Sequence, residues 1–492
     1  MIVVKLNKRD FEYDIYSLVR AFYPGVDVAV KVLGETAQPE ESSDAADFYV
    51  LIDYGEDRIG ICFEDGQQKV LLERDAAVDY YADRKHTKNC LKFLLYGMLS
   101  EYTRQKLPWG NLTGIRPTKI PMALLEAGWK NTEIADYMRK TYFTSSEKTA
   151  LAIMIANREK HILENIHYAD GYSLYIGIPF CPSICLYCSF SSSPISVWKD
   201  RVDAYLDALC REIAFGAEAY RGRILDTLYI GGGTPTTLEA AQLERLLTEI
   251  ERHFDLSHLQ EFTVEAGRPD SISRDKLRVL QEHGVSRISI NPQTMNQKTL
   301  EIIGRRHTVE ETIEAFHMAR ELGFDNINMD LIVGLPGEEL PEVEHTMKEV
   351  TRLMPDSITV HSLAVKRAAR LNMFKDKYKE LTFTNNQEIM DMTSVYAGNA
   401  GMSPYYLYRQ KNMAGNFENV GYAKTGRAGI YNILIMEEKQ SILALGAGAS
   451  TKVVRASDRI DRIENVKDIK NYIERIDEMI ERKRQGFVKY GK

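Results

Sequence analysis

Residues 178–190 read IPFCPSICLYCSF and place Cys181, Cys185 and Cys188 at the spacing Cys-x3-Cys-x2-Cys. Three thiolates on one short loop can bind three irons of a [4Fe–4S] cluster and leave the fourth iron open to a ligand. The competing interpretation is a structural zinc site, but such a site takes four ligands, usually from two paired motifs. The chain has no second Cys-x2-Cys pair, so the spacing favours an iron–sulfur cluster.

The composition is that of a globular protein with room for two or three domains. The 492 residues are 44% hydrophobic and 27% charged, and the formal net charge of −7 argues against nucleic-acid binding driven by global charge. Six cysteines, half of them in one loop, are too few for a disulfide framework and favour a reducing compartment. Without a signal peptide or an apolar run of ~18 residues, we expect a cytoplasmic protein with no membrane span.

Residues 1–165 predict a separate N-terminal α+β accessory domain. Short apolar runs predict strands at residues 2–6, 26–33, 48–54, 58–63 and 69–73. Apolar residues at helical spacing predict a helix over residues 89–105. The predicted buried face of that helix consists of Leu91, Leu94, Leu95, Met98, Leu99 and Tyr102. A second helical stretch, residues 132–167, leads to the next domain.

From residue 173 onward, apolar runs alternate with amphipathic stretches. The runs are residues 174–178, 226–230, 262–266, 287–290, 326–333 and 357–363. Six successive βα units imply a parallel sheet, and because eight would close a full barrel, six predict an α/β fold with a partial (β/α)6 barrel over residues 166–369. Residues 370–492 predict a mostly helical or mixed C-terminal domain that covers the substrate. Its last helix has one buried stripe and a solvated polar face.

Special residues follow each of the six runs, where folds of this kind place their chemistry. The cysteine loop follows the first run, and the glycine-rich turn GGGTP, residues 231–235, follows the second. Glu265 ends the third run, and NPQ at residues 291–293 follows the fourth. GLPG at residues 334–337 follows the fifth run, which contains Asp330, and His361 and Ala364 end the sixth. Glycines let backbone groups approach a ligand closely. Such a turn beside an open iron suits the amine and carboxylate of S-adenosylmethionine, a cofactor that carries radical chemistry.

The cysteine loop resembles that of the radical S-adenosylmethionine superfamily, whose hallmark is this cysteine spacing. The run YIGIPFC at residues 175–181 and the GGGTP turn are similar to the oxygen-independent coproporphyrinogen III oxidase-like branch. That resemblance covers residues 171–364. The N-terminal unit, PWG at residues 108–110, and YRQKNM ahead of NVGY at residues 408–422 resemble the longer, HemZ-type members of the branch.

The resemblance implies a set of binding residues for the cluster and for one or two S-adenosylmethionine molecules. The implied cluster ligands are Cys181, Cys185 and Cys188. The implied contacts of the cluster-bound S-adenosylmethionine are Tyr175, Gly232 and Glu265. The implied contacts of a second molecule are Tyr187, Gly233, Thr234, Gln293, Arg305, Asp330 and Ala364.

The reaction implied by the resemblance is oxidative decarboxylation of two propionates of coproporphyrinogen III to vinyl groups, giving protoporphyrinogen IX in haem biosynthesis. It also implies an electron donor, whose identity the sequence does not give. Candidate cationic partners for this tetracarboxylate are Arg268, Arg306, His307, Lys366, Arg367, Arg409 and Lys411.

One position departs from the pattern of the decarboxylases. They carry a further cysteine two residues after the third ligand, where this chain has Phe190. Phenylalanine at this position is the pattern of relatives that bind and deliver haem. The alternative function is therefore a haem chaperone, and another radical enzyme acting on a tetrapyrrole, such as a haem-opening methyltransferase, is a third hypothesis.

Overall fold

The computed structural model describes residues 1–33, 46–114, 116–364, 369–373, 383–410, 417–455 and 459–490. The chain forms two compact units, Met1–Met154 and Ile155–Lys492. The domain boundaries predicted near residues 165 and 369 stay a prediction. Among the described residues, no helix has both the length and the apolar content needed to cross a membrane.

The first unit contains a five-stranded mixed sheet. Its strands are β1 (Ile2–Leu6), β2 (Val28–Val32), β3 (Phe48–Tyr54), β4 (Arg58–Asp65) and β5 (Val70–Ala77), in the order β2-β1-β3-β4-β5. Its helices are α1 (Glu12–Phe22), α2 (Arg84–Thr103), α3 (Lys119–Glu126), α4 (Asn131–Tyr142) and α5 (Ser146–Ile162), the last of which continues into the second unit. Helices α1 and α2 share one hydrophobic core with β1, β3 and β4.

The five strands and the helix α2 predicted for this unit are confirmed. Helix α2 buries Leu91, Leu95 and Met98, as predicted, but Tyr102 is 45% exposed because it lies in the last turn, where its ring stacks on Phe48. Helix α1 is not predicted by the sequence patterns above. It begins after Phe11, a left-handed residue whose side chain makes no cap, so the usual N-cap signal is missing.

The second unit is built on an eleven-stranded sheet in the order β14-β15-β13-β12-β11-β10-β9-β6-β16-β17-β18. Its strands are β6 (Gly171–Ile178), β7 (Phe180–Cys181), β8 (Ser193–Pro194), β9 (Ile224–Gly232), β10 (Glu261–Glu265), β11 (Arg287–Ser289), β12 (Ile327–Val333), β13 (Ser357–Ser362), β14 (Ser403–Tyr408), β15 (Asn419–Ala423), β16 (Ser441–Leu445), β17 (Ser450–Val454) and β18 (Ile460–Glu464). Strands β7 and β8 pair separately.

The helices of this unit lie mostly between successive strands. They are α6 (Ile195–Trp198), α7 (Val202–Ala219), α8 (Ala240–His253), α9 (Arg274–Glu282), α10 (Gln297–Ile302), α11 (Val309–Glu321), α12 (Leu340–Arg352), α13 (Arg370–Met373), α14 (Gln387–Asn399), α15 (Ile430–Glu437), α16 (Ile469–Glu474) and α17 (Ile476–Tyr490). Short 3-10 turns span Leu163–Asn165, Lys199–Arg201, Pro235–Thr237 and Pro269–Ser271.

Six parallel strands occupy the centre of the sheet in chain order, from β6 through β9, β10, β11 and β12 to β13. They match the six predicted runs and confirm the partial barrel. Strand β16 pairs in parallel with β6, and β15 pairs antiparallel with β13. The C-terminal part therefore extends the sheet at both edges, which confirms its mixed character, although the sequence patterns do not predict its individual strands.

A buried ion pair joins helix α17 to helix α7. Lys483 Nζ lies 2.9 Å from Glu212 Oε1 and donates to Asn465 Oδ1 at 2.7 Å, and both charged side chains are fully buried. Glu212 also accepts hydrogen bonds from the Tyr472 hydroxyl and the Gly446 amide. Lys483 follows Ile476 and Ile480 at helical spacing, so this charge lies on the buried stripe of the last helix and not on its polar face. A buried charge persists only with such a full set of partners.

Replacing Lys483 with methionine leaves the Glu212 carboxylate buried without its cation. Because removing one partner of a buried pair costs about 3–5 kcal/mol, we expect Lys483→Met to lower the urea midpoint of the second unit strongly. The matched control is Arg484→Met on the same helix, since Arg484 pairs with Glu481 at the surface, where such pairs contribute about 0–1 kcal/mol. Equal midpoints for the two variants would contradict the assigned role of Lys483.

Candidate active site

A cavity of about 540 Å³ lies at the carboxyl ends of the parallel strands. Every residue predicted to bind the cluster or S-adenosylmethionine lines this cavity, except Tyr175. The lining members of that set are Cys181, Cys185, Tyr187, Cys188, Gly232, Gly233, Thr234, Glu265, Gln293, Arg305, Asp330 and Ala364. Tyr175 lies directly behind the glycine turn, because a Cβ added to Gly232 would be 3.1 Å from the Tyr175 hydroxyl.

The cysteine loop is held by backbone and side-chain contacts from neighbouring segments. Leu186 N donates to Ile303 O at 2.9 Å, and Ser183 Oγ donates to Gly304 O at 3.0 Å. None of the three cysteines forms a disulfide. Among the described residues, no three Cys, His, Asp or Glu side chains converge as ligands of one ion. All three cysteines line one cavity, which fits a cluster in which each thiolate binds a different iron.

The glycine turn packs against the entry to the cysteine loop. Gly233 N donates to Ile178 O at 2.7 Å, and Thr234 N donates to Phe180 O at 2.6 Å. A Cβ at Gly233 would lie 2.4 Å from Phe180 O, and Gly232 has a φ of +109°. Both positions therefore require glycine for the geometry of the turn itself. Thr234 Oγ1 also donates to Cys181 Sγ at 3.6 Å, so the turn contacts a predicted cluster ligand directly.

Two carboxylates of the cavity have pKa values displaced in opposite directions. Burial raises the pKa of Glu265 to about 7, although the Tyr229 hydroxyl donates to its Oε1 at 2.5 Å and opposes the shift. Burial would also raise the pKa of Asp330, but a hydrogen bond from Asn328 Nδ2 and the His361 ring, 3.8 Å away, outweigh it and hold that pKa below its usual value. Near neutral pH, Asp330 is charged while Glu265 is poised to gain or lose a proton.

Two buried side chains bring unpaired polar atoms to the cavity. Arg305 donates from Nη2 to Gly267 O at 2.8 Å and from Nη1 to the Tyr187 hydroxyl at 3.3 Å. Its Nε has no hydrogen-bond partner within the described part of the chain, and neither has Gln293 Oε1. Buried polar groups are normally paired, so these atoms fit the polar groups of a ligand.

The residues predicted as cationic partners of the substrate carboxylates lie in different environments. Arg268 lines the cavity, but its guanidinium is bonded within the protein. Arg306 is exposed and does not line the cavity. Burial and the nearby Arg305 lower the pKa of His307 to about 3, so it is neutral and the prediction of a cation there is wrong. Arg409 is buried outside the lining. Lys366, Arg367 and Lys411 lie outside the described residues.

Several lining residues are not predicted from the sequence. Arg287 is 1% exposed, and its Nη2 donates to Ser357 Oγ at 3.1 Å. Tyr229, Tyr406 and Tyr408 add aromatic walls. The alternation of strand residues could have predicted that Tyr229 lines the cavity. Tyr229 lies two residues before Gly231 on β9, and alternate residues of a strand share one face.

The comparisons with known proteins agree with this site. The sequence profile of the Radical SAM superfamily matches residues 175–350. The chain is 42% identical over 404 residues, 81% of each chain, to the oxygen-independent coproporphyrinogen-III oxidase-like protein HemZ of Bacillus subtilis (strain 168). It is 34% identical to the heme chaperone HemW of the same organism, over 62% of this chain and 76% of HemW. The structure of coproporphyrinogen III oxidase (HemN) from Escherichia coli matches with a TM-score of 0.53 and 25% identity, over 65% of this chain and 73% of HemN.

An open (β/α)6 barrel with this cysteine loop is the architecture of radical S-adenosylmethionine proteins. The chain belongs to that superfamily, in the oxygen-independent coproporphyrinogen-III oxidase-like group that includes HemZ. Membership implies a [4Fe–4S] cluster and S-adenosylmethionine. The three cysteines that line one cavity and the unpaired buried polar atoms of Arg305 and Gln293 fit these groups.

We expect Cys185→Ala to lose the brown colour and the iron of the anaerobically reconstituted protein, because the cluster would lose one of its three thiolates. The matched control is Cys210→Ala, since Cys210 is a free thiol on helix α7 and does not line the cavity. Iron and sulfide per chain and the visible absorbance give the readout. Full iron and colour in Cys185→Ala would contradict the assignment of the cluster.

Proposed function

We propose that this protein is an oxygen-independent coproporphyrinogen III oxidase, a radical oxidoreductase that decarboxylates two propionates of coproporphyrinogen III to vinyl groups and yields protoporphyrinogen IX. One observation carries the proposal: a single cavity brings the cysteine loop, the glycine turn and two carboxylates together with buried cations. The similarity to HemZ and HemN supports this choice of substrate.

The residues divide into those that would hold the cluster and those that would hold S-adenosylmethionine. Cys181, Cys185 and Cys188 would ligate the cluster. Tyr175, Gly232 and Glu265 would hold the cluster-bound S-adenosylmethionine. When bound, the two groups supply a 5′-deoxyadenosyl radical. The part of this chain is to fix their position and to exclude water from the cavity.

We also propose that a second S-adenosylmethionine binds in the same cavity. Its contacts would be Tyr187, Gly233, Thr234, Gln293, Arg305, Asp330 and Ala364. The unpaired Arg305 Nε and Gln293 Oε1 support this assignment. A guanidinium is the side chain best suited to a ligand carboxylate.

The substrate has four carboxylates and needs cationic partners. Arg287 lines the cavity. In the sequence, Lys411 directly follows the lining residue Gln410, and Lys366 and Arg367 come two and three positions after the lining residue Ala364. We assign these cations to the propionates. Tyr406, Tyr408 and Met436 of the C-terminal part line the same cavity, which supports the covering role proposed for residues 370–492.

The cellular setting follows from the chemistry. None of the six cysteines forms a disulfide, and an iron–sulfur cluster with an open iron suits a reducing compartment. We therefore propose a cytoplasmic location and a one-electron donor that reduces the cluster.

A haem chaperone is the second candidate function, and Phe190 favours it. This side chain is 73% exposed at the cavity, where decarboxylases of the family carry a cysteine. The similarity to HemW points the same way. The two candidates differ in turnover, which one assay separates.

The assay is an anaerobic incubation of the reconstituted protein with S-adenosylmethionine, a reductant and coproporphyrinogen III. We expect carbon dioxide and vinyl products from the wild-type protein and none from Cys185→Ala, because the radical requires the cluster. Chromatography of the oxidised porphyrins and trapped carbon dioxide give the readout. Stoichiometric haem binding without turnover would overturn the oxidase and support the chaperone.

The raised pKa of Glu265 predicts pH-dependent binding of S-adenosylmethionine. Above about pH 7 the carboxylate is charged and attracts the sulfonium cation, and below it the carboxyl group is neutral. Between pH 8 and pH 6 we expect the affinity to fall more steeply in the wild-type protein than in Glu265→Gln, by up to about tenfold. Calorimetry of anaerobic protein with equal cluster content measures this difference. Parallel pH profiles for the two proteins would contradict the role of Glu265.

A further inference from the structure

Arg268 lies in the segment EAGRPDS, residues 265–271, directly after strand β10. It is a buried arginine with an intramolecular carboxylate partner. Its Nε donates to Asp270 Oδ1 at 3.0 Å and its Nη2 donates to Asp270 Oδ2 at 2.8 Å. This two-point contact fixes the plane of the guanidinium.

The opposite edge of the guanidinium contacts the cysteine loop. Nη1 lies 3.3 Å from Ser183 O and 3.7 Å from Cys185 Sγ. Both Nη1 and Nη2 lie 3.2 Å from Ser183 Oγ. Cys185 itself is only 8% exposed. The contact therefore places N–H donors and a positive charge against a buried predicted cluster ligand.

The five N–H donors of Arg268 are accounted for by these contacts. One donor of Nε and one of Nη2 bond to Asp270, and the remaining three face Ser183 and Cys185. An arginine has no further donors. No donor is left for a substrate carboxylate, so Arg268 serves the cysteine loop rather than the substrate.

The two charges of the ion pair differ in exposure. The Arg268 side chain is 4% exposed and the Asp270 side chain is 21% exposed. The Asp270 carboxylate is thus closer to solvent. It also lies on the edge of the guanidinium that faces away from Cys185. Solvent screens Asp270 more than Arg268, so the positive end dominates at the sulfur.

We propose that Arg268 is a positioning residue that raises the reduction potential of the cluster through Cys185. Hydrogen bonds and positive charge at a ligand sulfur stabilise the reduced cluster, which carries the extra electron. Asp270 limits this effect by compensating part of the charge. The inference rests on the cluster of the proposed function but not on its substrate.

The test is a redox titration of the reconstituted protein, followed by electron paramagnetic resonance in the absence of substrate. Arg268→Gln removes the charge, so we expect its cluster potential to shift to a more negative value. Asp270→Asn removes the compensating carboxylate, so we expect a shift in the opposite direction. Arg278→Gln is the matched control, because Arg278 pairs with Asp275 at the surface, and its potential should equal that of the wild-type protein.

The signs of the shifts distinguish tuning from a purely structural role. Shifts in the same direction, or none in either variant, would overturn the proposal. If Arg268→Gln holds no cluster, the test uses Asp270→Asn and Arg268→Lys instead. A more positive cluster potential in Asp270→Asn, together with an unchanged potential in Arg268→Lys, supports the proposal. Any other pair of results overturns it. A protein that holds a cluster but does not decarboxylate would refute the proposed function alone.

Discussion

The site depends on the parallel register of strands β6 and β9. Gly177 is aligned with Gly231 and Ile178 with Gly232, so the cysteine loop and the glycine turn leave the sheet side by side. The hydrogen bond from Gly233 N to Ile178 O continues this pairing beyond the last aligned residues. Parallel strands place all their carboxyl ends at one edge. Neighbouring strands then bring their own terminal residues to the same cavity.

This alignment also creates the electrostatic demands of the cavity. Carboxylates and guanidinium groups line the same cavity, and a buried charge without a partner is energetically costly. Each is given a different set of partners. Glu265 accepts a hydrogen bond from the neutral Tyr229 hydroxyl, whereas Asp330 accepts one from Asn328 and lies 3.8 Å from the His361 ring. Those partner sets, more than burial itself, separate the protonation states of the two carboxylates.

The sequence predicts what local patterns encode. The six parallel strands carry apolar runs, and the cysteine spacing is read within eight residues, so both are found where predicted. Arg268 shows what such patterns cannot give, because its partner Ser183 is 85 positions away and nothing local distinguishes a buried arginine from a solvated one. Lys483 is the same case on a helix, since only the fold places Glu212 opposite it. Helix α1 is not predicted from the sequence for another reason, because no N-cap side chain marks where it begins.

The cavity has two parts with different origins, and this bears on how relatives with one barrel can differ in activity. Strands β6 to β12 supply the cysteine loop, the glycine turn and the acidic residues. Strand β14 and helix α15 of the C-terminal part supply Tyr406, Tyr408 and Met436. The first set suits the cluster and S-adenosylmethionine. Its residues leave little freedom for substitution, because the glycine turn with Gly233 and the cysteine loop with Cys181 contact each other. The second set faces the remaining space, as does Phe190. The second set and Phe190 are therefore the part of this cavity in which we expect decarboxylation and delivery of a tetrapyrrole to differ.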